Sequence, residues 1–67
     1  MNKELFEVEK EELQGLIRIH QAIIEELDNN DNIVLKSAAT RRKKKVVELE
    51  KELQAIEMEL VIMKEAS

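Results

Sequence analysis

The sequence predicts an all-α fold: an antiparallel, coiled-coil-like helical hairpin that dimerises into a four-helix bundle. Three observations predict it. From Val46 to Met63 the large apolar residues alternate spacings of three and four: Val46, Leu49, Leu53, Ile56, Leu60 and Met63. On a 3.6-residue helix these side chains form one narrow stripe, which is buried only against another helix. Composition agrees, since there is no Pro, Gly15 is the one glycine and Phe6 the one aromatic residue, so helix breakers and strand-forming aromatics are scarce. The run Asp28-Asn29-Asn30-Asp31-Asn32 then divides the chain into two periodic segments, because Asp and Asn side chains bond nearby backbone groups and favour turns.

The whole of residues 1–67 reads as one helical-hairpin domain. Helix 1 is expected over about residues 2–28, with Asn2 as N-cap and Glu4 in the first turn, where the helix dipole favours an acid. Its seam repeats every seven residues. Phe6, Leu13, His20 and Leu27 hold one position, Leu16 and Ile23 the second, and Leu5, Ile17, Ile19 and Ile24 widen the stripe on both sides. A face that broad contacts more than one neighbour, as in a bundle.

A turn is expected over about residues 28–36, and helix 2 starts between residues 32 and 38 and runs to about residue 65. Asp31 or Asn32 would cap a start at Ile33, and Ser37 a start at Ala38. Register discriminates between hairpin geometries. Folding about residue 33 sets Phe6 against Leu60, Leu13 against Leu53, Leu16 against Leu49, His20 against Val46 and Leu27 against Ala39. Folding about residue 30 sets Leu16 and Ile17 against Lys43 and Lys44. The first register is preferred, with Ile33, Val34 and Leu35 folded over the end of the bundle.

A chain of 67 residues buries too small a share of its surface to be comfortable alone, and it has no cysteine for a disulfide. Two helices leave one another half uncovered, so a homodimer is expected. Its core is Phe6, Leu13, Leu16, His20, Ile23 and Leu27 with Val46, Leu49, Leu53, Ile56, Leu60 and Met63. In general shape this is similar to the small plasmid-copy-number regulators that bind RNA on a bundle surface, a likeness of topology with no shared motif.

The chemical inventory points away from catalysis. One His, two Ser, one Thr, no Cys and no Tyr leave almost nothing from which to build a nucleophile, its base and an orienting group. No enzyme and no cofactor are expected. His20 has Leu16, Ile17, Ile23 and Ile24 three and four residues away, where a helical metal site would place carboxylates. It reads as a seam histidine bonded to a neighbour; the sharper reading is a pH-sensitive assembly switch.

Charge is unevenly placed. Of the eleven basic residues, Lys36, Arg41, Arg42, Lys43, Lys44 and Lys45 fall within ten positions, and no acid occurs between Asp31 and Glu48. Arg42 is in register with Val46 and Leu49, lies near Ile23 in the preferred pairing, and needs a carboxylate such as Glu26 or an exit to solvent. The run reads either as a solvated face answering Glu25, Glu26 and Asp28 or as a phosphate-binding or acidic-partner patch. The stretch 38–45 leading into heptads looks superficially like the basic leucine zippers. Leu35 stands where that family has its base-reading Asn, and helix 1 has no counterpart there, so no family is assigned.

Met58, Val61 and Ile62 lie off the strict seam and form a candidate partner patch, for which flexible Met suits variable contacts. No apolar run of about 18 residues is present to span a membrane, and the absence of Cys fits a reducing cytoplasm. The expected function is a small non-enzymatic interaction protein, of a kind suited to a bacterium or phage. It would be a homo-oligomeric helical hairpin acting as adaptor, regulator or inhibitor by binding another macromolecule, with an unidentified protein as the expected partner. The alternative is a nucleic-acid-binding regulator using Arg41 to Lys45.

Overall fold

A computed structural model describes residues 2–66. It consists of two helices, α1 (Asn2–Asp28) and α2 (Ile33–Ala66), packed side by side as an antiparallel hairpin, with no strand among the described residues. The molecule is a rod of 52 × 14 × 13 Å. Among the described residues, no helix is long and apolar enough to cross a membrane.

The connection is built by asparagines. Helix α1 ends with the Asn29 N–H donating to the Glu25 carbonyl and the Asn30 N–H to that of Leu27, a tightening of the last turn. The Asn30 side chain then accepts from the Asn32 N–H at 3.0 Å. Asn32 caps α2: its Oδ1 accepts from the N–H groups of Val34 at 2.9 Å and Leu35 at 3.3 Å, two donors that would otherwise lack a helical partner. With that cap in place Ser37 lies inside α2, and Ile33, Val34 and Leu35 form its exposed first turn instead of folding over the bundle end. Asn2 is the first helical residue of α1, so the expected N-cap is itself inside the helix.

Both helices carry a complete heptad seam. In α1 the buried and half-buried positions run Phe6, Lys10, Leu13, Ile17, His20, Ile24 and Leu27; in α2 they run Ala39, Arg42, Val46, Leu49, Leu53, Ile56, Leu60 and Met63. Gln14, Gly15, Ile23 and Ala38 are half-buried beside them. Leu13, Ile17, Val46 and Leu49 form the central cluster, against which Ile24, Leu53 and Ile56 pack. Ala39 is fully buried, its short side chain letting the helices approach near the loop.

One seam assignment needs correction. The seven-residue column of Phe6, Leu13, His20 and Leu27 can be completed on either flank of α1. In the hairpin Ile17 is buried and Leu16 exposed, Ile23 and Ile24 are both half-buried, and Lys10 is half-buried as well. Leu16 is 38% exposed, and Ile19 and Leu5 on its side are more open still. The stripe of α2 is narrow enough to cover only one flank. On the flank it covers, Lys10 meets Glu57 and Asp28 meets Lys43 across the helices. These pairs, with Arg42 and His20, bracket a register in which partner numbers add to about 66. In that register the first turn of α2 projects past the end of α1.

Candidate functional site

Three features stand apart from the apolar seam: a polar pair within it, a basic segment on α2, and apolar side chains left uncovered. The polar pair joins Arg42 and His20, whose Nη1 and Nδ1 atoms are 3.1 Å apart in a half-buried setting. A guanidinium has only donors, so Nδ1 accepts and the imidazole proton resides on Nε2. The expected carboxylate partner for Arg42, Glu26, is not the one used. The pair was recoverable from the heptads, because both residues occupy seam columns and lie about one turn apart in height.

The six basic residues separate by helical position. Arg42 points inward to His20, and Lys43 bonds Asp28 with Nζ and Oδ2 3.0 Å apart, both partly open to solvent. Exposed ion pairs of this kind contribute little stability, roughly 0 to 1 kcal/mol, and act mainly to select register. Lys36, Arg41, Lys44 and Lys45 are exposed. The basic run is thus divided: two members tie the hairpin together and four face solvent.

The two grooves of the hairpin differ in chemistry. One is lined by Lys3, Glu7 and Lys10 of α1 with Glu57, Leu60, Val61 and Lys64 of α2, and farther along by Gln14, Arg18 and Glu50 over Ile17 and Leu53, so its apolar floor is bordered by charge. Helical spacing puts Leu5, Leu16, Ile19 and Ile23 on the other flank of α1. Leu5, Leu16 and Ile19 are exposed and Ile23 is half-buried. A third surface is the outer side of α2 near its C-terminus, where Gln54, Glu57, Met58, Val61 and Ile62 line a shallow apolar cleft. Met58, Val61 and Ile62 are each more than half exposed.

The fold and its surfaces define a two-helix hairpin with a filled inner seam and uncovered apolar flanks. Compared with known proteins, the chain matches no family model, no curated protein and no solved structure.

Proposed function

We propose that this chain is a small non-enzymatic interaction protein: a homodimeric helical hairpin, completed as a four-helix bundle, that acts as an adaptor, regulator or inhibitor by binding another protein. The observation that carries this reading is the uncovered apolar surface. Among the described residues, eleven large hydrophobic side chains are 36% or more exposed, including Leu5, Leu16 and Ile19 on α1 and Met58, Val61 and Ile62 on α2. Soluble monomers seldom leave contiguous apolar area uncovered on this scale. The α1 flank suits a second copy, and the Met58 cleft suits a partner's apolar side chains.

A second reading has its own support. Lys36, Arg41, Lys44 and Lys45 leave a positive segment on an otherwise acidic protein, and dimer symmetry doubles it. A nucleic-acid-binding regulator would use these residues on phosphates, with no interleaved aromatics for base stacking. Light scattering across protein concentration, at low and high salt and with a short duplex DNA added, separates the readings. The interaction protein gives a dimer mass that DNA leaves unchanged. A DNA complex that dissolves with salt, and with Lys44 and Lys45 replaced by Ala, establishes the second. A monomer at all concentrations overturns the homodimer.

A further inference from the structure

We infer that two copies pair end to end, loop against termini, through the flank of α1 that carries Leu16 and Ile19, about a two-fold axis that crosses the helices between those residues. The inference rests on the homodimer proposed above and gives it a face, a direction and a register. Three observations lead to it.

The first is the asymmetry of the grooves. Heptad spacing puts Lys10, Gln14 and Asp28 on one flank of α1 and Leu5, Leu16, Ile19 and Ile23 on the other. The first flank is bound to α2 by Lys10–Glu57 and Asp28–Lys43, while the second exposes Leu5, Leu16 and Ile19 between Glu9, Glu12 and Glu26. On α2 the same open side carries Ala38, Lys45, Glu52 and Glu59 next to the seam, with Val34 and Ile62 farther round. A rod of 52 × 14 Å offers roughly 700 Å² on one such face, of the order of the 800 Å² per partner in a standard interface.

The second is charge. The terminal half of the hairpin, residues 1–16 and 50–67, holds four basic and ten acidic residues, a balance of −6. The loop half, residues 17–49, holds seven basic and five acidic residues, a balance of +2. Copies aligned head to head set −6 against −6, whereas copies aligned head to tail set −6 against +2.

The third is side-chain complementarity under a single axis. In a register where partner numbers within a chain add to about 66, a two-fold midway between Leu16 and Ile19 stacks each helix on its own copy, antiparallel. Leu16 then meets the partner's Ile19, Lys45 meets the partner's Glu52, and Val34 at the projecting tip meets the partner's Ile62. The exposed first turn of α2, 78% open at Ile33 and 69% at Val34, gains a cover beside the apolar terminal end of the partner. The like charges brought near are Glu9 beside the partner's Glu26, and Glu48 near its own copy, on the solvent edge of the interface.

The test uses the full chain, which has no native cysteine, with Asn29→Cys in the loop carrying a spin label. End-to-end pairing puts the two labels about 35 Å apart, from the helical rise over the intervening heights. Head-to-head pairing or a swapped, extended dimer puts them within about 20 Å and overturns the inference while leaving the dimer standing. A monomer mass by scattering overturns both. A charge reversal checks the register independently: Glu52→Lys weakens the dimer by about five- to tenfold, and adding Lys45→Glu restores it. No loss in the single variant, or no recovery in the double, overturns the register.

Discussion

At the residue scale, the Arg42–His20 contact is a cost as well as a bond. A guanidinium held in an apolar seam gives up hydration, and one hydrogen bond to a neutral imidazole offsets only part of that loss. Removing either partner should therefore have opposite consequences. Arg42→Leu fills the seam column between Ala39 and Val46 with an apolar side chain, and is expected to raise unfolding free energy by about 1 kcal/mol. His20→Leu leaves the guanidinium without its acceptor in the same place and is expected to lower it by about 1 to 2 kcal/mol. Urea titrations of both variants check the pair, and equal destabilisation by both would show that the contact is a net source of stability. The seam columns made the juxtaposition readable in advance, although Arg42 was expected to leave for solvent or to find a carboxylate such as Glu26, which lies off the seam, on the flank of α1 that α2 leaves uncovered.

Elements are set by local chemistry at their ends and by which flank they bury. Asn32 satisfies two backbone donors of α2, so Asn32→Ala should lower stability by about 1 kcal/mol and fray the helix toward Ser37, visible as faster amide exchange at Val34 and Leu35. Gly15 lies inside α1, where a Cβ would meet nothing within 4 Å. Gly15→Ala is therefore expected to add about 0.5 to 1 kcal/mol through helix propensity alone, read as a higher urea midpoint at unchanged slope. The helices and their division at residues 28–32 were legible because periodicity and the asparagine run speak to backbone geometry directly. The flank of α1 was not, because Ile17 and Ile24 on one side and Leu16 and Ile23 on the other satisfy a seven-residue repeat equally well. What decides between them is the opposing helix: Glu57 and Lys43 answer Lys10 and Asp28, and that correspondence appears only once the register is fixed. The tip charges carry the same information in another form. Glu25, Glu26 and Asp28 crowd the C-terminus of α1 and Lys36 sits in the first turns of α2, each against its own helix dipole. They suit an antiparallel neighbour better than an isolated helix.

For the molecule as a whole, the uncovered apolar side chains fall into two sets with different consequences. Leu5, Leu16 and Ile19 lie on the open flank beside the seam, where a second copy would cover them, whereas Met58 and Val61 lie away from that flank, Val61 at the edge of the charged groove with Lys3, Glu7 and Lys10. If the two sets serve different partners, they can be silenced separately. Met58→Lys with Val61→Lys is expected to leave the dimer mass unchanged and to shift stability by no more than about 0.5 kcal/mol, because these side chains support neither the inner seam nor the paired face. The same variant should lose capture of any partner seated in the cleft with Gln54 and Glu57. Leu16→Lys with Ile19→Lys is expected to do the reverse, converting dimer to monomer in scattering while the cleft residues stay intact. A dimer lost to the Met58 and Val61 changes would mean that the cleft is itself the interface between copies, and the basic segment of α2 would then be the strongest remaining candidate for contact with another macromolecule.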